Sequence, residues 1–130
     1  MPRAPTCCGT AFAEYPAFFA LPAEDRNGGD VLGALMASPL FSTTNAGVGL
    51  YVTDLWVAAA TRGYELGRRL LAAALEEADK EWTVRFLELA VYQDNAKART
   101  FYDRLGFSQF ADEIFLTLKG PALENLRKTQ

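Results

Sequence analysis

The stretch that decides the fold is Asn95 to Phe107, which reads NAKARTFYDRLGF. Asn95 is a good N-cap because its side-chain oxygen can accept a hydrogen bond from a first-turn amide. Gly106 supplies the left-handed residue that commonly ends a helix. The apolar side chains between them recur at helical spacing and predict one stripe: Ala98, Phe101, Tyr102 and Leu105. The stretch therefore predicts a short helix with both ends marked, and Tyr102 on its apolar face.

A strand, a turn and a longer helix are predicted upstream, in LYVTDLWVAAATRGYELGRRLL from Leu50 to Leu71. The strand covers Leu50 to Val57, where β-branched and aromatic residues alternate. Strict alternation places Val52, Asp54 and Trp56 on one face, and Tyr51, Thr53, Leu55 and Val57 on the other. The helix covers about Leu66 to Lys80, with a stripe at Leu66, Leu70, Ala74 and Ala78 facing the core.

This order of elements suits the binding of an anion. The first turn of a helix carries unpaired amides and the positive end of the helix dipole. Glycines in the turn let the backbone approach a phosphate closely. The turn Arg62 to Gly67 contains two glycines, Gly63 and Gly67. A plain helix start with a glycine bend is the alternative interpretation of the same residues.

The remaining pattern predicts more strands than helices. Predicted strands are Ala17–Ala23, Val31–Ser38, Phe86–Val91 and Glu113–Leu118, and residues 121–130 form a terminal helical turn or fray. The fold class is α+β, with a mixed, mostly antiparallel sheet and one helical crossover. We divide the chain into a short segment at 1–15, one domain at 16–118 and a tail at 119–130.

Composition excludes several kinds of function. The chain has 130 residues, a net charge of −3 and no histidine. A nucleic-acid-binding protein usually shows a basic face, so we expect no nucleic-acid partner. Without histidine, catalysis by imidazole and most zinc sites are excluded, and we expect no metal. No apolar run approaches the roughly 18 residues that a membrane span needs, so no membrane partner is expected.

The two cysteines, Cys7 and Cys8, are neighbours near the amino terminus. Adjacent cysteines make no disulfide framework, so we expect free thiols in a reducing cytoplasm. The amino terminus is a poor signal peptide because Glu14 and Pro16 interrupt its apolar residues.

The capped helix resembles the Asn-x-x-Ala-x-x-Phe-Tyr-x-x-x-Gly-Phe signature of the GNAT superfamily, the acetyl-CoA-dependent N-acetyltransferases. The turn is similar to that family's pyrophosphate pattern, Gln/Arg-x-x-Gly-x-Gly/Ala. Arg62 and Gly67 match its first and last positions, and Glu65 replaces the middle glycine. The segment GLYVTDLWV resembles the polyamine and diamine acetyltransferase branch. The resemblance covers about Pro16 to Leu118.

That resemblance implies a strand and two helices before the first hairpin. Fewer than 16 residues precede Pro16, too few for those elements, so we expect an N-terminally shortened fold. In the family the two helices form one wall of the acceptor site. Their absence would leave sheet surface open, and a second subunit could cover it. We therefore expect a homodimer.

The resemblance also implies where acetyl-CoA would bind, between two parallel strands that splay apart near Val57 and Val91. The amide of Val57 or Ala58 would hold the pantetheine arm. The backbone from Arg62 to Arg68 would hold the pyrophosphate, and Asn95 would contact the cofactor or act only as a cap. These cofactor-binding residues are Val57, Ala58, Arg62, Gly63, Tyr64, Glu65, Leu66, Gly67, Arg68 and Asn95. The charge of Glu65 lies close to the diphosphate and is expected to weaken binding.

For catalysis, the resemblance implies that Tyr102 protonates the departing CoA thiolate. A phenol with a pKa near 10 is a reasonable acid for a thiolate whose thiol has a pKa of roughly 8–9. The alternative is a stripe residue without a chemical role. Thr53 stands where the polyamine branch has a glutamate base, and threonine cannot act as a base near neutral pH. Asp54 and Glu88 are the candidate bases. The alternative for Asp54 is a structural carboxylate, buried or at a sheet edge, whose oxygens are satisfied by backbone, and direct attack by neutral amine needs no base.

Three functions follow from these expectations. The first is an N-acetyltransferase that moves an acetyl group to a small primary amine in a ternary complex. The second is a CoA-binding relic that has lost catalysis, which Thr53, Glu65 and the short front favour. The third is a dimerising structural module that binds no cofactor.

Overall fold

A computed structural model describes residues 6–7, 19–25, 29–61, 65–110 and 113–129. The chain divides into two compact units, Met1–Ala96 and Lys97–Gln130, and each is described by itself. The first unit contains the strands β1 (Thr6–Cys7), β2 (Phe19–Glu24), β3 (Val31–Ser42), β4 (Gly47–Val57) and β5 (Leu87–Leu89). It also contains the helix α1 (Leu66–Asp79) and a short 3-10 turn at Ala59–Thr61.

The five strands form one sheet in the order β1-β2-β3-β4-β5. The first three pairings are antiparallel, and β4 pairs with β5 in parallel. The helix α1 lies in the connection between the two parallel strands, so it is the crossover. The predicted fold class, a mixed and mostly antiparallel sheet with one helical crossover, is confirmed.

The core lies between α1 and one face of the sheet. The helix presents Leu66, Leu70, Leu71, Ala74 and Ala78, all buried, and contacts β2, β3 and β4. The facing strand residues are also buried: Leu21, Ala23, Leu35, Ala37, Leu50 and Val52. Gly33 permits close packing, because a Cβ there would stand 3.1 Å from Leu70 Cδ1 and 3.2 Å from Leu66 Cδ2.

A β-bulge in β4 corrects the predicted alternation. Met36 pairs with Asp54 and its neighbour Ala37 pairs with Val52, so Thr53 is the extra residue. The Thr53 hydroxyl donates to the Met36 carbonyl at 3.1 Å. After the bulge every side chain changes face, so Val52 shares the α1 face with Leu55 rather than with Asp54.

The expectation that the front strand is missing is wrong. Thr6 pairs with Glu24 and Cys7 with Ala23, so a two-residue strand precedes the hairpin. The expectation that the two helices are missing concerns residues 8–18, which lie outside the described residues, as do residues 1–5. The side chains of the two cysteines are also outside them.

The second unit holds most of α2 (Ala96–Leu105) and all of α3 (Pro121–Arg127). The predicted helix within Asn95–Phe107 is confirmed, and Gly106 has the expected positive φ of 101°. Of the two alternatives for residues 121–130, a helical turn or a frayed end, the structure shows a helix. The predicted last strand at Glu113–Leu118 is wrong, since the structure assigns no strand to residues 113–119. An alternating apolar pattern predicts strand propensity, but a strand also needs a neighbour to complete its hydrogen bonds.

Candidate functional site

The candidate site begins where β4 and β5 part. Their pairing ends at Val52 and Leu89, yet β4 continues for the length of Thr53–Val57. Within the described part of the sheet, β4 therefore has an open edge toward β5 along these last residues. The pairing thus ends before the position, near Val57 and Val91, where the two parallel strands are predicted to splay apart.

The backbone of Val57 is directed into this gap. The Ala58 amide donates to the Leu32 carbonyl at 2.7 Å, so these two residues form a hydrogen-bonded pair with β3. Hydrogen-bonded and non-hydrogen-bonded pairs alternate in an antiparallel ladder. The next pair, Val57 with Gly33, is consequently a non-hydrogen-bonded pair, so the Val57 amide points away from β3.

The same geometry distinguishes the two residues expected to hold the pantetheine arm. The Ala58 amide is already used by Leu32, whereas the Val57 amide lies on the open side of β4. An extended arm that carries amide groups could add to this edge as a further strand does. Of these two residues, only Val57 therefore presents its amide on the open edge of β4.

The first turn of α1 forms the second part of the site. The first hydrogen bond of the helix runs from the Arg69 amide to the Glu65 carbonyl at 3.0 Å. The amides of Leu66, Gly67 and Arg68 precede that bond, and such amides have no acceptor inside their own helix. Arg68 and Arg69 are exposed, and α1 has no acidic residue in its first turn. This end of α1 is suited to an anion.

Glu65 takes the backbone conformation that a glycine adopts easily. It precedes α1 with φ 59° and ψ 23°, in the left-handed region, and its side chain makes no capping hydrogen bond. The side chain is exposed. The other expected turn residues, Arg62, Gly63 and Tyr64, lie outside the described residues.

Asp54 and Glu88 share the sheet face opposite α1. Tyr51 pairs with Ser38 and Asp54 with Met36, and Ser38 and Met36 are two residues apart on β3, so all four face the same way. Glu88 pairs with Tyr51 across the parallel ladder. Asp54 is exposed and Glu88 is half-buried. The bulge thus brings both candidate bases to one face of the sheet.

Asn95 directly precedes α2, as a cap would. Its amide donates to the Tyr92 carbonyl at 3.0 Å. Asn95 takes part in a further interaction and is not free.

Tyr102 lies in the second unit, on the apolar side of α2. The predicted stripe of that helix is half-buried: Ala98, Phe101, Tyr102 and Leu105. The Tyr102 ring meets Phe101 and Phe107 edge-on, with centroids 5.1 and 5.4 Å away. Burial raises the pKa of the Tyr102 phenol above its ordinary value. The phenol is therefore protonated at neutral pH and able to donate a proton.

Sequence reasoning missed two features of the site. One is Thr61 in the β4–α1 connection, which is buried and donates a hydrogen bond from its hydroxyl to the Ala58 carbonyl. No local sequence pattern marks it. The other is the bulge at Thr53. Two consecutive polar residues, Thr53 and Asp54, were the available signal, because a regular half-buried strand rarely places two neighbours in solvent.

Among the residues that the structure describes, no helix has the length and apolar content to cross a membrane. The same residues contain no group of three or more metal-ligating side chains.

Comparisons with known proteins agree with this geometry. The acetyltransferase (GNAT) family matches residues 2–107. The chain is 39% identical over 64 residues to N-alpha-acetyltransferase 40 of Saccharomyces cerevisiae, a match that covers 45% of this chain and 22% of the yeast protein. The chain therefore spans about a fifth of the length of that curated relative.

Solved structures support the fold. An integron cassette protein from the mobile metagenome of V. cholerae superposes with a TM-score of 0.74 at 23% identity, covering 91% of this chain and 71% of that one. An aminoglycoside acetyltransferase from an uncultured soil metagenomic sample gives 0.66 at 21% identity, covering 82% and 69%. With the family match over residues 2–107, the parted strands and the capped helix, the chain belongs to the GNAT acetyltransferase family.

Proposed function

We propose that this protein transfers an acetyl group from acetyl-CoA to a small primary amine. The neutral amine nitrogen attacks the thioester carbonyl carbon in a ternary complex. The new C–N bond replaces the C–S bond, the nitrogen loses a proton, and the leaving thiolate gains one. The observation that carries this proposal is the open edge of β4 beyond Val52, with the Val57 amide directed into it.

Acetyl-CoA would lie along that edge. In this proposal the Val57 amide holds the pantetheine arm, and the first-turn amides Leu66, Gly67 and Arg68 hold the pyrophosphate. The residues Arg62, Gly63, Tyr64 and Glu65 complete the turn, and Asn95, directly before α2, contacts the cofactor. Exposed arginines near the start of α1 offset the negative charge of Glu65.

Two groups would move protons in the reaction. Tyr102 protonates the thiolate, since its raised pKa keeps the phenol protonated at working pH. Asp54 accepts the proton from the amine, directly or through water. Glu88 shares its face and is the alternative base.

A second acceptor class has an observation in its favour. The 39% identity over 64 residues to a protein named N-alpha-acetyltransferase 40 points to the α-amine of a polypeptide. Small amines and peptide α-amines undergo the same chemistry, so an acceptor panel containing both separates them. The product identified by mass spectrometry shows which nitrogen carries the acetyl group.

We also propose that the protein is a homodimer. Trp56 and Met36 lie on the sheet face opposite α1 and are 51% and 37% exposed. Large apolar side chains that share one exposed face favour association. The proposed location is the reducing cytoplasm, where the adjacent cysteines stay as free thiols.

The experiment that tests the function is acetyl-CoA binding by calorimetry. Gly67 is buried in the first turn of α1, so Gly67→Trp fills the proposed cradle. The matched control is Ala72→Trp, which adds the same side chain at an exposed position of the same helix. We expect micromolar binding by the wild type and by Ala72→Trp, and no binding by folded Gly67→Trp.

Turnover is then measured as release of CoA with each amine of the panel. Release with an acceptor establishes the acetyltransferase. Binding without release under any acceptor identifies a catalytically impaired relic. Folded wild-type protein that does not bind acetyl-CoA contradicts the proposal and leaves a dimerising structural module.

A further inference from the structure

Two glycines of β4 make room for the segment that leads into β5. Gly47 and Gly49 are two residues apart and lie on the same face of β4, the face opposite α1. A Cβ on Gly49 would stand 2.5 Å from Phe86 Cδ2 and closer still to two other atoms of the ring. A Cβ on Gly47 would stand 2.6 Å from Arg85 Cδ. Gly49 is buried, so the Phe86 ring packs directly on the β4 backbone.

Hydrogen bonds hold the same segment beside β4. The Arg85 amide donates to the Val48 carbonyl at 2.9 Å, and the Leu50 amide donates to the Phe86 carbonyl at 3.0 Å. These two bonds lie on either side of Gly49, where the ring packs. The start of β5 is therefore attached to β4 both by its backbone and by one aromatic side chain.

This attachment sets the register of β5. Two residues after Phe86, Glu88 pairs with Tyr51. Residues two apart on an extended chain share a face, so Glu88 lies on the face where the ring meets Gly49. A slip of one residue would turn Glu88 to the α1 face, and a slip of two would move it roughly 7 Å along β4.

We propose that Phe86, packed on Gly49, is a positioning residue for Glu88 in the transfer reaction. This inference rests on the proposed function. Glu88 lies one strand away from Tyr51, roughly 5 Å, and Asp54 stands roughly 7 Å from Tyr51 on the same face. Both carboxylates can therefore approach one amine nitrogen.

The two carboxylates have different roles in this proposal. As the neutral amine attacks the thioester, its nitrogen gains a positive charge before it loses a proton. Asp54 accepts that proton, while Glu88 stays ionised and stabilises the positive charge. Such stabilisation falls with distance, so a displaced Glu88 contributes less to the rate.

Gly49→Ala tests the contact, and Gly47→Ala is its matched control. Neither glycine has a positive φ, so alanine strains neither backbone. A methyl group at Gly49 must displace the Phe86 ring, and the start of β5 with it. At Gly47 it meets the flexible side chain of the exposed Arg85, which can turn aside.

The readout is kcat/KM for the small amine that releases CoA fastest from the wild type. We expect Gly49→Ala to lower it roughly 10- to 100-fold and Gly47→Ala to change it by less than about twofold. The Kd for acetyl-CoA, measured by calorimetry, should stay within about twofold of the wild type in both variants. The reason is that the proposed cofactor contacts lie at Val57 and in the first turn of α1.

Combined variants separate positioning from general damage. Adding Phe86→Leu to Gly49→Ala removes the overlap and should restore kcat/KM to within about threefold of the wild type. Glu88→Gln alone should lower kcat/KM roughly 10- to 100-fold. In the Glu88→Gln background, Gly49→Ala should change it by less than about a further twofold, because both changes remove the same interaction.

If Gly49→Ala does not fold, Phe86→Leu alone takes its place. That variant removes the ring from Gly49 and should lower kcat/KM roughly 3- to 10-fold in the wild-type background. In the Glu88→Gln background its effect should be less than about twofold.

Three results would overturn the positioning role and leave the proposed function standing. They are a Gly49→Ala protein as active as the wild type, an equal loss in Gly47→Ala, and no recovery when Phe86→Leu is added. A full additional loss in the Glu88→Gln background also overturns it, because the contact would then not act through Glu88. If the wild type transfers acetyl to no amine, both the proposed function and this inference are wrong.

Discussion

Thr53 is the residue that decides which side chains of β4 lie on the sheet face opposite α1. As the extra residue of the bulge, it moves Val52 to the core face and brings Asp54 onto the face of Tyr51 and Glu88. Its own hydroxyl is bonded to the Met36 carbonyl at 3.1 Å. Thr53 therefore contributes shape to the site, and the acidic groups stand beside it.

Glu65 should be replaceable by glycine with a gain. Its left-handed conformation costs roughly 1–2 kcal/mol for a residue with a Cβ, and glycine removes that cost. Glycine also makes the unfolded chain more flexible, which offsets roughly 0.5–1 kcal/mol of the stabilisation. We expect Glu65→Gly to raise the free energy of unfolding by about 0.5–1 kcal/mol in urea titrations. Removal of the charge should also tighten acetyl-CoA binding about two- to threefold at low salt.

Glu65→Gln separates the two effects. It removes the charge and keeps the left-handed backbone strain, so binding should tighten while stability stays the same. A Glu65→Gly protein that is less stable than the wild type would show that the Glu65 side chain has a structural role.

Tyr102→Phe should lower kcat and leave the Kd for acetyl-CoA unchanged. General acids commonly contribute 10²–10⁴-fold, so we expect a fall of roughly 100-fold. Burial raises the pKa of Tyr102, and the wild-type rate should fall as the pH rises through that raised value. A variant with the full wild-type kcat would remove Tyr102 from the mechanism.

The same raised pKa has a consequence for stability. The folded protein holds the Tyr102 proton more tightly than the unfolded chain, whose phenol has a pKa near 10. The contribution is complete below about pH 10 and is lost as the pH rises through the folded value. The free energy of unfolding should therefore begin to fall above about pH 10. The fall should accompany ionisation of the phenol, which is followed by ultraviolet difference spectra.

At the scale of elements, α1 and the strand pair β3–β4 place the site together. The helix packs across the sheet on the Gly33 side, and this sets where its first turn stands relative to the end of β4. The end of the β4–β5 pairing leaves the edge of β4 along which we propose that the arm of acetyl-CoA binds. The site is thus a property of three elements, and neither α1 nor β4 forms it alone.

Packing of α1 should dominate the stability of the first unit. Leu70 is fully buried against the sheet. Leu70→Ala should lower the free energy of unfolding by about 2–5 kcal/mol, through lost burial and the cavity it leaves. Glu76→Ala, at an exposed position of the same helix, should change it by less than about 0.5 kcal/mol. Equal losses in urea titrations would contradict the assigned core face of α1.

At the scale of the whole molecule, the proposed homodimer makes a separate prediction. Wild-type protein should sediment as a dimer, and Trp56→Glu should shift it toward monomer because the new carboxylate lies on the face of Asp54. Phe41→Ser is the matched control. Phe41 is 73% exposed, but by register it lies on the other sheet face, with Ala37 and Pro39.

Two outcomes would contradict the proposed interface. A monomeric wild type at all concentrations contradicts the dimer, and a Phe41→Ser protein that dissociates as readily would move the interface to the opposite face. The measurement is sedimentation velocity over a concentration series.

The local features of this chain could be predicted from its sequence. The helices at Leu66–Asp79 and Ala96–Leu105, the stop at Gly106 and the strand-turn-helix order depend on periodicity, caps and turns among residues close in the chain. The candidate residues of the phosphate-binding turn followed from that order. The prediction of a strand at Glu113–Leu118 was wrong, because strand propensity depends on neighbouring residues in the sequence whereas strand pairing depends on distant ones.

Only the tertiary structure decided the details on which the site depends. The bulge at Thr53, the end of pairing at Val52 and Leu89, the direction of the Val57 amide and the attachment of Thr61 to Leu32 join residues far apart in the sequence. Such contacts depend on which strand pairs with which, and in what register. Because one shifted residue reverses every side chain that follows, no local pattern could have determined them.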